Sequence, residues 1–150
     1  ASKREPDILV FDKACAFSET GEMPFTSITV IEFKKPQRHG YTAEENPFIQ
    51  VRRYVEEIRA GKAVNHQGRP IQIPDNLPFY CYIVCDIAPA LIEWAKDFEL
   101  TPTPDQLGFF GYKKHFNAYV EVISYEKMIV DAKKRNAAFF DKLGLLNRII

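Results

Sequence analysis

Two acidic residues and a lysine stand out in this 150-residue chain as the side chains best placed for chemistry. Glu32 and Lys34 are two positions apart at the end of an apolar run, Ser27 to Pro36. In a β-strand this spacing places both side chains on one face, together with Ile28 and Val30. Charges at the end of a core strand are costly unless something binds them, so the pair indicates a functional site. The alternative is a strand that emerges into solvent, where glutamate and lysine are ordinary.

The predicted topology brings a second carboxylate to this pair. The apolar run from Pro6 to Lys13 is typical of a strand, and a loop follows it. Two consecutive strands that pair as a hairpin are antiparallel, so the start of the first lies beside the end of the second. We therefore expect Asp7, and not Asp12, to lie beside Glu32 and Lys34.

A helix predicted after the strand adds two polar side chains. Asn46 is suited to cap this helix, Pro47 to its first position and Gly61 to its end. Gln50 and Tyr54 are four residues apart and share a face, and Gln50 lies in the first turn, near the end of the preceding strand. Tyr54 has an alternative role, because an aromatic side chain on an amphipathic helix usually belongs to the core.

This set of residues predicts metal-assisted chemistry on phosphates. Asp7 and Glu32, about 5 Å apart on neighbouring strands, can chelate a hard divalent cation such as Mg²⁺ or Mn²⁺. Such a cation lowers the pKa of a bound water and stabilises charge on a phosphate. Lys34 is placed to orient that water or to neutralise the phosphate, and the backbone carbonyl of Phe33 can complete the coordination.

The same residues resemble the PD-(D/E)XK signature of the restriction-endonuclease-like nuclease superfamily. Pro6-Asp7 matches its first half and Glu32-Phe33-Lys34 its second. The segment from Gln50 to Tyr54 resembles the Q-x-x-x-Y motif of the RecB-like and lambda-exonuclease-like branch, in which the motif lies on the helix after the catalytic strand. The resemblance extends over residues 6–86.

The resemblance implies a role for each matching residue. The implied metal ligands are Asp7, Glu32 and the backbone carbonyl of Phe33. The side chains implied to act in catalysis are Asp7, Glu32, Lys34, Gln50 and Tyr54. Among them Lys34 would be the catalytic lysine, Gln50 would position the lysine, the water or DNA, and Tyr54 would contact the backbone or support the site. The implied cofactor is Mg²⁺ or Mn²⁺, and the implied partner is nucleic acid, with DNA favoured.

One departure from the superfamily pattern concerns the start of the chain. Many members carry an acidic residue on a helix before the first strand, whereas this sequence offers only Glu5 there. We therefore expect that the N-terminal helix is missing and that the chain is a fragment of a longer protein. Its later part resembles C-terminal nuclease-like domains of larger bacterial proteins, which implies a role in restriction, defence or DNA repair.

The predicted elements follow the order β, β, α, β, α, β, β, α, which is typical of one mixed α/β domain over residues 1–150. The resemblance makes this a restriction-endonuclease-like mixed sheet flanked by helices. A strand from Phe79 to Ile87, reached through a helix, predicts a parallel pairing with the strand of Glu32. Later elements are a helix over 90–98, a hairpin over 108–124 and a final helix between Ser124 and Gly144. One side of that helix carries Ile129, Ala132, Asn136, Phe139 and Leu143. The other segments are expected to be loops: 14–24, 37–45, 63–78 and 100–106.

Composition argues against several other classes of protein. Twenty lysines and arginines balance twenty aspartates and glutamates, so an anionic partner must be met by local patches of charge. Three cysteines without a C-x-x-C pair argue against a disulfide framework or a structural zinc site and favour a reducing cytoplasm. The sequence contains no nucleophile elbow, no Gly-rich phosphate loop and no long apolar span. We therefore expect neither acyl transfer, nor nucleotide hydrolysis, nor a membrane partner.

The sequence thus predicts a metal-dependent nuclease that hydrolyses phosphodiester bonds in DNA. One alternative is a catalytically inactive module of the same fold that binds DNA or another protein. A third possibility is a protein-interaction domain in which Tyr112, Phe116 and Tyr119 form an exposed docking surface. The expected partners include other domains of the same longer chain, and homo-oligomerisation stays open.

Overall fold

A computed structural model describes residues 6–13, 25–36 and 41–144, and over these residues the chain is a mixed α/β fold. The strands are β1 (Ile8–Lys13), β2 (Phe25–Phe33), β3 (Phe79–Cys85), β4 (Thr101–Pro102), β5 (Gly108–Lys113) and β6 (Ala118–Ser124). The helices are α1 (Pro47–Arg59), α2 (Pro89–Asp97) and α3 (Tyr125–Lys142), and 3-10 turns occur at Ala43–Glu45 and Lys114–Phe116. The mixed α/β class predicted from the sequence is confirmed. The predicted loop over 14–24 and Glu5, with the expected absence of a preceding helix, lie outside the described residues.

The strands form one sheet in the order β1-β2-β3-β6-β5-β4. β1 and β2 are antiparallel, β2 pairs parallel to β3, and β3 pairs parallel to β6. β5 and β6 form the predicted antiparallel hairpin. The predicted pairings are therefore confirmed, and three neighbouring parallel strands form the centre of the sheet.

The loop predicted over residues 100–106 is wrong at its start. Thr101 and Pro102 form the short strand β4, which pairs with Phe110 and Phe109 of β5. β4 is the edge of the sheet, and a proline is tolerated there because the missing N–H is not needed on the open side. Proline is typical of loops, but Pro102 also fits a strand here because that strand lies at the edge of the sheet.

The core lies on one face of the sheet, beneath α1 and α2. Alternate residues of the three central strands are buried on this face, as the two-residue period of a strand requires. The buried core residues of these strands include Ile28, Val30, Phe79, Cys81, Ile83, Val120 and Val122, and the helices add Val51, Val55, Leu91 and Ala95. On the other face Ile8, Val10, Phe33 and Tyr80 remain about two-fifths exposed (42%, 41%, 42% and 39%). Glu32 lies on the same face of β2 as Ile28 and Val30 and is enclosed by this core.

The ends of α1 match the sequence prediction. The Asn46 side chain accepts a hydrogen bond from the backbone N–H of Phe48 at 3.0 Å, and Pro47 is the first helical residue. Gly61 follows the last turn with a φ of +78°, a conformation that glycine adopts without strain. Asn46 and Pro47 fix where α1 begins and so place Gln50 in its first turn.

At the other end of α1, Arg59 joins the helix to two loops, the one before β3 and the one between β5 and β6. Its guanidinium lies 4.5 Å from the ring centre of Phe79. It donates hydrogen bonds to the backbone carbonyls of Asp75, Leu77, Phe116 and Asn117, at 2.8–3.4 Å. Because one side chain satisfies several carbonyls, it sets the position of α1 on the sheet. None of the helices in the described part of the chain is long and apolar enough to cross a membrane.

Replacing Arg59 is therefore expected to destabilise the whole fold. We predict that Arg59→Met lowers the free energy of unfolding by about 2–4 kcal/mol, because charge-assisted hydrogen bonds to partly buried carbonyls are lost. Urea unfolding followed by circular dichroism measures this change. The matched control is Arg52→Met, which removes an exposed ion pair with Glu56 on the same helix and should cost about 0.5 kcal/mol or less. Equal losses in the two variants would contradict the role of Arg59.

Candidate active site

Glu32 is a carboxylate enclosed by the core at the end of β2. It follows Ile28 and Val30 on the covered face, and only 6% of the residue is exposed. Burial raises the pKa of Glu32 above its usual value, and the negative charge of Asp7 raises it further, while Lys34 opposes both effects. The folded chain therefore holds this carboxylate in a position where its negative charge is unfavourable.

Asp7 lies beside Glu32, as the hairpin topology predicts. The register pairs Ile8 with Ile31, so Asp7 falls next to the end of β2. Its Oδ2 accepts a hydrogen bond from the backbone N–H of Phe33 at 2.7 Å. This bond fixes the exposed Asp7 carboxylate against the strand that carries Glu32. Asp12 pairs with Ser27, at the far end of the hairpin.

The Phe33 carbonyl, the expected third metal ligand, is directed toward β1. The N–H and C=O of one strand residue point to the same side, and the N–H of Phe33 reaches Asp7. The next residue, Lys34, instead donates its backbone N–H to the Val84 carbonyl on β3 at 2.8 Å. The carbonyl of Phe33 is therefore on the same side of β2 as the Asp7 carboxylate.

The side chain of Lys34, just after β2, contacts the side chain of Gln50 on α1. Lys34 Nζ lies 3.5 Å from Glu32 Oε1 and 2.5 Å from Gln50 Oε1. Gln50 is buried in the first turn of α1, so its amide oxygen is a fixed acceptor for the ammonium. The structure thus brings together four of the residues that the sequence singled out: Asp7, Glu32, Lys34 and Gln50.

Tyr54 lies one turn further along α1, inside the hydrophobic core. It is 4% exposed and belongs to the same buried cluster as Val51 and Val55. This placement agrees with the core role that the sequence left open for an aromatic residue on this helix. A supporting role for Tyr54 beneath the site stays a prediction.

Tyr125 is a neighbour of the site that the sequence did not single out. Its hydroxyl donates to the backbone carbonyl of Lys34 at 2.7 Å. Burial raises the pKa of Tyr125, and the neighbouring acidic groups of Cys85, Asp86 and Asp7 raise it further. Since β2, β3 and β6 are parallel, their carboxyl ends meet at one edge of the sheet, and Tyr125 follows β6 directly. Functional residues often lie beyond the carboxyl ends of parallel strands, and this rule could have identified Tyr125 from the sequence.

Asp86 had two possible roles in the sequence, a third acidic group or a helix cap. In the structure the N-cap residue of α2 is Ala88, whose side chain makes no capping hydrogen bond. Asp86 instead follows β3 at the same edge of the sheet, where its charge acts on Tyr125. Among the described residues no group of three or more histidine, cysteine, aspartate or glutamate side chains could hold a metal ion. The acidic pair at the centre is thus Asp7 and Glu32.

One oxygen of Glu32 supplies a test of whether a cation fits this site. Glu32 Oε2 is buried and has no hydrogen-bond partner within residues 6–13, 25–36 and 41–144. A buried, unpaired carboxylate oxygen is costly. A divalent cation shared with Asp7 would remove that cost and reduce the repulsion between the two carboxylates. Two carboxylates and a carbonyl suit Mg²⁺, which keeps several of its waters.

The aromatic residues proposed as a docking surface do not share one environment. Tyr112 is exposed and its hydroxyl donates to Asn117, and it pairs in register with Tyr119. The Tyr119 hydroxyl donates to Glu121. Phe116 packs against Phe98 and the core instead. Only the two tyrosines therefore share a face of the sheet.

Comparison with models of protein families, with curated proteins and with solved structures finds no match to this chain.

The raised pKa of Glu32 predicts a pH-dependent loss of stability. The folded state binds this proton more tightly than the unfolded chain, so the free energy of unfolding falls as pH rises above the usual glutamate pKa of 4.5. Glu32→Gln removes this effect. The variant should gain stability relative to the parent chain as pH increases, because the parent must ionise a buried carboxylate and the glutamine stays neutral.

Urea unfolding in metal-free buffer from acid to neutral pH measures this difference. Glu56→Gln, on the exposed face of α1, controls for the loss of a surface carboxylate. A Glu32→Gln variant whose stability relative to the parent does not change with pH would contradict the unfavourable burial of the charge.

Proposed function

We propose that this chain is a metal-dependent nuclease domain of the restriction-endonuclease-like superfamily, and that it hydrolyses phosphodiester bonds in DNA. The observation that carries the proposal is the buried Glu32 carboxylate, with one unpaired oxygen, between Asp7 and the Lys34–Gln50 pair. A purely structural role does not explain this arrangement, because a glutamine or an apolar residue at position 32 would remove the cost of burying the charge.

Asp7, Glu32 and the Phe33 carbonyl are the groups that would hold Mg²⁺. The bound ion would supply a water of lowered pKa and positive charge for the phosphate. Asp7 is already fixed by the N–H of Phe33, and Glu32 by the surrounding core. The chain therefore offers preorganised oxygen ligands and needs little rearrangement when a cation binds.

Lys34 supplies the positive charge of the protein at this site. Its Nζ can donate up to three hydrogen bonds, and Glu32 and Gln50 account for two of them. The remaining N–H is available to a water or to a phosphate oxygen. An ammonium held close to the reacting phosphate stabilises the negative charge that develops there.

Gln50 acts on the reaction through Lys34. Its amide oxygen is the nearer of the two acceptors, at 2.5 Å, and its own position is set by the Asn46 cap and Pro47 at the start of α1. Gln50 is thus a positioning residue. It holds the Lys34 ammonium at the end of β2, so that the ammonium does not form a closer ion pair with Glu32.

The alternative is a non-catalytic module of the same fold. The number of acidic ligands favours this alternative. Among the described residues only two carboxylates lie at the centre of the site, and no third one joins them. Metal binding without DNA cleavage would support that alternative.

Substitutions at the acidic pair and the lysine separate these functions. We predict that Glu32→Gln and Lys34→Ala each lower the rate of Mg²⁺-dependent cleavage of plasmid DNA by about 100-fold or more, since each removes a group that acts on the reacting phosphate or water. Only Glu32→Gln should also abolish Mg²⁺ or Mn²⁺ binding in a calorimetric titration. The matched control is Lys35→Ala, at the exposed neighbouring lysine. Cleavage that survives in Glu32→Gln and Lys34→Ala would contradict the assignment.

The positioning role of Gln50 makes a separate prediction. Gln50→Leu removes the acceptor and should lower kcat by about 10–100-fold, the usual effect of losing a residue that orients a reactive group. Gln50→Glu keeps an acceptor for Lys34 and should retain more activity than Gln50→Leu. Ile49→Leu, at the exposed preceding position, is the control. Equal activity in Gln50→Leu and Gln50→Glu, measured on the same DNA substrate, would exclude this role.

A further inference from the structure

The second half of α3 extends away from the domain with its side chains in solvent. All residues from 133 to 144 are exposed. A helix of this length is marginal in water unless an apolar face is packed against something. Its first turn is held by the Ser124 cap on Lys127 and by the bond from Tyr125 to Lys34. The exposed half therefore requires a partner surface.

The apolar side of α3 has the spacing of a coiled-coil seam. Ile129, Ala132, Asn136, Phe139 and Leu143 follow one another at alternating intervals of three and four residues. Ile129, Asn136 and Leu143 occupy the a positions of a heptad, and Ala132 and Phe139 occupy the d positions. Ile129, Phe139 and Leu143 are 56%, 61% and 55% exposed. This seam is thus both regular and open.

Asn136 favours a second copy of the same helix as the partner of this seam. A single asparagine at an a position pairs with the same asparagine of a second helix in parallel two-stranded coiled coils, and it fixes their register. Against an unrelated apolar surface the same side chain would be buried without a hydrogen-bond partner, at a cost in free energy. The pattern is therefore self-complementary.

The charges beside the seam favour the parallel arrangement. In a parallel pair, Met128 faces Lys133 of the other copy, and Arg135 faces Phe140, so no like charges meet and a cation–π contact is available. In the antiparallel pair that aligns the same layers, Lys133 would face Lys133 and Arg135 would face Arg135. Asn136 would then lie opposite Ala132. Repulsion and an unpaired amide both disfavour that pair.

We infer that two copies of this chain associate through α3, which forms a short parallel two-stranded coiled coil with paired Asn136 side chains. The domain fixes the first turn of each helix, so part of the cost of starting the helix is already met before association. The seam contains about two heptads, so the dimer is weak and its formation depends on concentration. This inference does not depend on the proposed nuclease chemistry.

Sedimentation equilibrium of the 150-residue chain tests the association. Between about 1 μM and 1 mM, a range that covers weak interfaces, the chain should pass from monomer to dimer. Phe139→Asp should weaken the dimer by about 10-fold or more, because it places a charge in the seam. The matched control, Ala138→Asp, lies on the outer face of the same helix turn and should change the dissociation constant by less than about twofold.

A cysteine pair tests the orientation of the helices. In a Cys15→Ser background, Asn136→Cys should form a disulfide between copies, because a positions face each other only in the parallel pair. Ala137→Cys, one position away from the seam, should not do so under the same conditions. A chain that stays monomeric at the highest concentration, equal weakening by Phe139→Asp and Ala138→Asp, oligomers larger than dimers, or equal cross-linking at positions 136 and 137 would each overturn the inference.

Discussion

The burial of the Glu32 carboxylate is the constraint on which the site depends. β2 places this side chain in line with Ile28 and Val30, beneath α1, where a negative charge loses its hydration. Lys34 only partly compensates, and Asp7 adds a second negative charge nearby. The proposed Mg²⁺ would satisfy the unpaired oxygen and reduce the repulsion between the two carboxylates. The surrounding fold holds this position at the carboxyl end of three parallel strands.

The sequence predicted the parts of the site that depend on local rules. Asp7 was placed beside Glu32 because consecutive strands pair as a hairpin, and Gln50 was placed near Lys34 because Asn46 and Pro47 fix the start of α1. Both predictions use contacts between elements that follow each other in the chain. The mixed α/β class was predicted from the order of strands and helices, which is also read from local patterns along the chain.

Other features could not be predicted because they depend on contacts between distant parts of the chain. Tyr125 reaches Lys34 across 91 positions of sequence, and only the completed order β2-β3-β6 brings them together. Pro102 was expected in a loop, since a sequence does not show that its strand will be an edge. The apolar side of α3 was visible as a pattern, but periodicity shows that one face is apolar and not what covers it.

The central claim is that the folded chain holds Glu32 in an unfavourable environment that a divalent cation relieves. The most direct test is the titration of the Glu32 side-chain carboxyl by ¹³C NMR, in the absence and presence of Mg²⁺, with Glu32→Gln to assign the signal. Without metal, the pKa should be above the usual glutamate value of 4.5, because burial and Asp7 disfavour the charge. With Mg²⁺, the pKa should fall, since the cation favours the ionised form. A pKa that is not raised without metal, or one that Mg²⁺ leaves unchanged, would contradict the claim.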